Sequence, residues 1–120
     1  MKSLSHCVIN ISYHVCFATK YRRSFNFNIE ELKLQFAAAA AIAKIEMLEI
    51  GIAPDHVHLL LNADHTDIEI SKIIGTIKMQ TSIKLRKMEN WQGWQRGYYC
   101  ASVGSSKKSS EMVAKYLATQ

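Results

Sequence analysis

The hydrophobic period of this chain switches repeatedly between two residues and about 3.6, and the order of those switches admits few folds. From Cys7 to Phe17 the alternation is strict. Cys7, Ile9, Ile11, Tyr13, Val15 and Phe17 face one way, and Val8, Asn10, Ser12, His14, Cys16 and Ala18 face the other, as in a half-buried strand. Asn28 followed by Glu31 has capping-box spacing, so a helix is predicted from there to about Glu46. Its alanines make a thin face that can approach a sheet closely. Leu48, Ile50 and Ile52 alternate again as a second strand. Ala53-Pro54-Asp55 forms the turn, because proline cannot donate to a ladder and aspartate favours turns. His56 to Ala63 returns as a third strand paired to the second as a hairpin.

Asp67 is placed to cap a second helix carrying Ile70, Ile73, Ile74, Ile77, Thr81, Leu85 and Met88 at helical spacing, with Gly75 a weak point inside it. Gly97 to Val103 reads as a fourth strand. Ser109 caps a last helix that runs to Gln120, with Glu111 at its positive end. The order is an α+β, ferredoxin-like βαββαβ arrangement: an antiparallel sheet with both helices on one face, plus a C-terminal helix. In that topology the first and third strands are central. Val57, Leu59 and Leu61 then face the helices, and His56, His58 and Asn62 point to the open face with His14 and Lys20.

One domain over residues 1–120 is the simplest account, since no repeat or Pro/Gly-rich linker interrupts the chain. The longest apolar run, Phe36 to Ala43, is far short of the roughly 20 residues that span a bilayer. No secretory signal pattern is visible at the amino terminus. Cys7, Cys16 and Cys100 are odd in number and lack metal-pair spacing, which reads as reduced thiols in a cytoplasmic protein. The net charge of +5 favours a polyanionic partner. Basic residues gather at Lys20-Tyr21-Arg22-Arg23, from Lys78 to Lys87, and at Lys107-Lys108, although any one such cluster is ordinarily solvated surface.

Chemistry concentrates in Asp55-His56-Val57-His58-Leu59-Leu60-Leu61. Two histidines at i and i+2 on a strand point the same way, about 6.5–7 Å apart, from which two imidazoles can converge on one cation. The bland alternative is two surface histidines, yet the pair interrupts a strongly apolar strand. Tyr116 and Gln120 are four apart on the last predicted helix and share a face. A phenol with a pKa near 10 needs help to act as a nucleophile, and a divalent cation on a scissile phosphate would supply it. Taken alone, Tyr116 reads more readily as a ring packed against the sheet as core.

The combination of Tyr13-His14, Lys20-Tyr21-Arg22-Arg23, Pro54-Asp55-His56-Val57-His58-Leu59-Leu60, Trp94-Gln95-Arg96-Gly97-Tyr98-Tyr99, Ser102-Val103-Gly104 and Tyr116-Leu117-x-x-Gln120 resembles the single-tyrosine HUH transposases of the insertion sequence 200/605 family. The match runs from about His6 to Gln120, with the motifs in order. The resemblance implies a metal pair at His56 and His58, a nucleophile at Tyr116, a third ligand at Gln120, and Mg²⁺ or Mn²⁺ as the metal. It implies a homodimer whose tyrosine helix completes the partner's histidine site. The implied substrate is single-stranded DNA whose ends fold into imperfect hairpins, and the implied product a 5′-phosphotyrosine that allows rejoining.

Lys20, Arg22, Arg23, Lys78 and Arg96 are the expected DNA contacts, by charge. His14 is expected near the metal pair, behind it or on DNA, or equally as a plain hydrogen-bonded surface histidine. Trp91 and Trp94 could stack bases, but tryptophans in a turn before a strand more often seal a core edge. Tyr98 is a rival nucleophile without a helical glutamine partner. Relatives usually continue past the glutamine; here Gln120 is the last residue, where helices fray, so the expectation is that the third ligand is poorly held, that the terminal carboxylate substitutes for it, or that the chain is a shortened product. Alternatives are a hairpin-DNA-binding relative that has lost its chemistry, or an HUH enzyme serving replication initiation or repeat-element mobility. A zinc deaminase is excluded by the lack of H-x-E with P-C-x-x-C.

Overall fold

A computed structural model describes residues 11–25, 27–63, 68–87 and 91–103. It has four antiparallel strands, β1 (Ser12–Ala18), β2 (Glu46–Ile52), β3 (His56–Asn62) and β4 (Tyr99–Ser102), with α1 (Ile29–Ile42) between β1 and β2 and α2 (Ile70–Leu85) between β3 and β4. The sheet order is β2-β3-β1-β4, so β1 and β3 are central, as the βαββαβ reading requires. Glu69, not the expected Asp67, stands at the N-cap of α2 and makes no side-chain cap bond. Asp67 itself, the beginning of the first strand at Cys7 and the tyrosine helix capped by Ser109 lie outside the described residues.

The period-2 sorting is visible in the burial of β3. Val57, Leu59 and Leu61 are buried against Phe36, Ala39 and Ala40 of α1 and Ile73, Ile74 and Ile77 of α2. Val15 and Phe17 of β1 join the same core. The small alanine face lets α1 approach closely, and Leu32, Phe36, Ala39 and Ala40 are the helix positions fully buried.

Asn28 caps α1 as its spacing predicts: its side-chain oxygen accepts from the Glu31 N–H at 3.0 Å. The helix stops at Ile42 rather than near Glu46. Lys44 takes a left-handed φ of 60°. The Lys44 N–H then donates to the Ala41 carbonyl and the Ile45 N–H to the Ala40 carbonyl, the two bonds of a Schellman ending. A lysine in the position usually held by glycine leaves no compositional sign of that stop.

The second strand also departs from simple alternation. Its register with β3 shifts between Met47 and Glu49, placing an extra residue there. Met47, Ile50 and Ile52 pack on the core, while Leu48 is exposed. The fourth strand starts at Tyr99 rather than Gly97; Gly97 has φ 84° and belongs to the preceding loop.

That loop is sealed by tryptophan. Trp94 lies edge-on to Phe17 at 4.7 Å and to Trp91 at 5.0 Å between ring centres, with Phe25 and Phe36 beyond. Its indole N–H donates to Thr81 Oγ1 at 3.0 Å, and that of Trp91 to Ser82 Oγ at 3.1 Å. Both rings therefore serve the core edge rather than the open face. We expect Trp94→Ala to cost about 3 kcal/mol in urea denaturation. Trp94→Phe keeps a ring there and loses chiefly the bond to Thr81, so it should cost about 1 kcal/mol.

Candidate nucleic-acid cleavage site

The open face of the sheet is assembled by cross-strand partners. Ala18 stands opposite His56, Cys16 opposite His58 and His14 opposite Leu60. On the other side of β3, Gly51 stands opposite His58 and Glu49 opposite Leu60. Directly opposed residues in a ladder share a face, so His14, His56, His58, Glu49 and Gly51 are presented together, away from α1 and α2. The two histidines are thus where the alternation places them.

His56 is held from behind. Its Nδ1 lies 3.0 Å from Asp55 Oδ1, and the other Asp55 oxygen accepts from Arg22 Nε at 2.9 Å. Burial pushes the Asp55 carboxyl up, but the hydrogen bonds and charges of Arg22 and His56 outweigh it and leave the pKa below its usual 3.8. An ionised carboxylate only accepts, so Nδ1 carries the proton and donates, which leaves the His56 Nε2 lone pair available. A carboxylate in this position orients an imidazole ligand in many metal sites.

His58 is seated by an absence. A Cβ added to Gly51 would fall 3.0 Å from both Cδ2 and Cε1 of the His58 ring, and closer still to Nε2, so the ring lies across the bare glycine backbone. The His58 and His14 rings meet in a T-shaped arrangement, with 6.0 Å between ring centres and 79° between planes. His14 Nδ1 is buried and has no hydrogen-bond partner among the described residues. Burial, followed by the nearby His14 and His56, lowers the His58 pKa below 6.5, with Glu49 opposing. His58 therefore stays neutral to lower pH than a free imidazole, the form in which it can ligate.

The expected DNA contacts divide into two groups. Lys20, Arg23 and Arg96 are exposed. Arg22 is committed to Asp55, and Lys78 Nζ donates to the carbonyls of Gln95 at 3.0 Å and Gly97 at 2.9 Å while lying 5.5 Å from the Phe17 ring centre. These two bonds hold the loop leading into β4, and burial lowers the Lys78 pKa. Cys16 is fully buried and Cys100 half-buried, and burial raises both thiols to about 11, which keeps them protonated. Tyr116 and Gln120 lie outside the described residues. Among the described residues no three His, Cys, Asp or Glu side chains form a metal-holding group, and no helix is long and apolar enough to cross a membrane. The contributions of Asp55, Arg22 and Gly51 to the site were not anticipated. An acid directly before the first histidine, and a glycine in hairpin register with the second, were the available signals.

The sequence profile of a family described as "Transposase IS200 like" matches residues 7–120. The chain belongs to the IS200-like transposase family. Membership implies DNA strand transfer. The transposase for insertion sequence element IS200 of Salmonella typhimurium is 29% identical over 133 residues, covering 99% of this chain and 82% of that protein, and the Salmonella typhi transposase of the same name matches equally. A crystal structure of a Deinococcus radiodurans protein assigned as a transposase superposes with a TM-score of 0.81 at 24% identity, over 100% of this chain and 98% of the other. A REP-associated tyrosine transposase bound to a REP hairpin shares the fold at a TM-score of 0.63 and 17% identity, over 85% of this chain and 61% of the other.

The lowered His58 pKa has a measurable consequence for this IS200-like chain. Just below pH 6.5 the unfolded chain takes up a proton on His58 that the folded chain does not, so stability falls as pH drops through that window. The depressed Asp55 carboxyl contributes stability that is lost only below its unfolded value of 3.8, which keeps the two effects apart. Denaturant melts from pH 7.5 down to about 5 should show the first slope in the native chain and a flatter one in His58→Ala.

Proposed function

We propose that this chain cuts and rejoins single-stranded DNA at the ends of an insertion sequence through a 5′-phosphotyrosine on Tyr116. The observation that carries the reading is the pair of imidazoles on the open face, one oriented by Asp55 and the other seated over Gly51, in a chain of transposase ancestry.

The residues fit a divalent cation. Both imidazoles are presented on one face, and the proton on His56 Nδ1 is directed at a carboxylate, away from any ligand. His56 and His58, with Gln120 as the third ligand, would hold Mg²⁺ or Mn²⁺. When bound, such an ion neutralises charge on the scissile phosphate and lowers the barrier to attack by an oxygen nucleophile.

In the proposed reaction the Tyr116 oxygen attacks phosphorus and loses its proton, and the bond to the departing 3′ oxygen breaks. The products are a 5′-phosphotyrosine and a free 3′-hydroxyl. A second 3′-hydroxyl attacking the same phosphorus regenerates the tyrosine. Bond number is conserved, so joining needs no ATP. Of the five cations expected on DNA, Lys20, Arg23 and Arg96 are exposed and available to neutralise phosphates, and His14 sits beside the pair to touch DNA or support His58. Hairpin recognition is supported by the similarity in fold to a transposase bound to a REP hairpin. A homodimer with Tyr116 contributed in trans completes the reading.

The test is a hairpin oligonucleotide from DNA flanking the gene, incubated with Mn²⁺ and run on a denaturing gel. We expect a covalent protein–DNA band from the native chain, none from Tyr116→Phe and none with a chelator. Binding without any adduct would instead identify a hairpin-binding relative that has lost its chemistry. In the same assay Gly51→Ala should lower adduct yield at limiting Mn²⁺ by about 10–100-fold, because its methyl displaces the His58 ring.

A further inference from the structure

The loop after β1 contains a feature that the cleavage chemistry leaves unused. Tyr21 is 70% exposed. It sits at φ 61°, followed by Arg22 at φ 53°, two consecutive left-handed residues without a glycine. Side chains with a Cβ seldom adopt that conformation, and two in succession persist only where the surroundings over-determine them.

The surroundings here do so. The Thr19 N–H donates to the Asp55 carbonyl at 2.9 Å, the Lys20 N–H to the Gly93 carbonyl at 2.8 Å and the Arg22 N–H to the Thr19 carbonyl at 3.0 Å, while the Phe25 N–H donates to the Pro54 carbonyl. Buried Thr19 places Oγ1 2.6 Å from the Arg23 carbonyl oxygen. Arg22 adds its bond to Asp55, the residue that orients His56. A loop anchored at so many points nevertheless directs its aromatic ring into solvent. Lys20 Nζ lies 5.6 Å from the centre of that ring, and exposed Arg23 follows two residues on.

We propose that Tyr21 is a stacking platform for one unpaired nucleobase of the DNA strand entering the histidine site, with Lys20 and Arg23 beside it for the flanking phosphates. The inference rests on the reading of single-stranded DNA as substrate. Every base has a π face, so such a platform is indifferent to sequence, and the flanking cations suit a strand whose phosphates lie beside its bases. The ring is linked to the site through one side chain, since its neighbour Arg22 grips the carboxylate behind His56. A base held there would place the strand in register with the imidazoles.

The test uses unpaired mixed-sequence DNA of about ten nucleotides carrying 2-aminopurine, a base whose fluorescence falls on stacking with an aromatic ring. Anisotropy reports affinity and emission reports stacking. The native chain and Tyr21→Phe should quench the probe equally, whereas Tyr21→Ala should abolish the quenching and weaken binding roughly ten-fold. Lys20→Ala should weaken binding and its salt dependence while leaving the quenching of the bound probe intact. Equal quenching by the native chain and Tyr21→Ala would overturn the platform and leave the single-strand reading standing. Failure of the native chain to bind the probe at low salt would overturn both. Unchanged thermal melting of Tyr21→Ala, expected for so exposed a ring, separates these outcomes from misfolding.

Discussion

The open face depends on the register of β3 between β1 and β2. Side chains alternate with a period of two, so a slip of one residue would bury His56 and His58 under α1 and α2 and expose Val57, Leu59 and Leu61. Three apolar side chains fully buried in one strand make that slip costly, at roughly 1.5–3 kcal/mol for each side chain returned to water. The core therefore does more than hold the sheet together: it determines which face carries the imidazoles. The same register sets Gly51 opposite His58, so the β2–β3 hairpin supplies both the ring and the room it occupies.

A second dependence runs through Asp55. Its backbone carbonyl receives the Thr19 N–H, and its side chain joins Arg22 to His56. One turn residue thereby ties the loop after β1 to the first histidine of β3. The exposed charges of Lys20 and Arg23 are held in a fixed relation to that histidine, although neither touches it. Removing the Asp55 carboxylate would affect the tautomer of His56 and the geometry of the basic loop together, so its loss is not equivalent to the loss of a single hydrogen bond.

The sequence carried the strand and helix order clearly because the pattern is strong where burial is one-sided. The alternation from His56 to Asn62 and the helical spacing of Ile73, Ile74, Ile77, Thr81 and Leu85 reappear as burial in the structure, whereas β1 is buried on both faces from Val15 to Ala18. What could not be read came from geometry without a compositional mark. Lys44 ends α1 in a conformation that glycine usually announces, and the irregularity after Met47 puts Leu48 on the wrong side of a simple alternation. The histidine pair was legible as a spacing, and its exposure on the open face followed from topology. Its supports were not, because Asp55 also satisfies the requirements of a turn and Gly51 those of a strand, and only three-dimensional register reveals the second role of each.

The basic residues show why charge alone under-determines function. Five cations were candidates for DNA on charge, but Lys78 is drawn inward to cap two loop carbonyls and Arg22 neutralises Asp55. Both have a bonding partner that a strand of DNA would have to displace. Lys20, Arg23 and Arg96 remain exposed, so their electrostatic attraction to phosphate carries no comparable internal cost. A salt titration of DNA binding thus separates the groups: a residue that neutralises phosphate reduces the slope when removed, whereas one that organises a loop changes affinity with the slope intact.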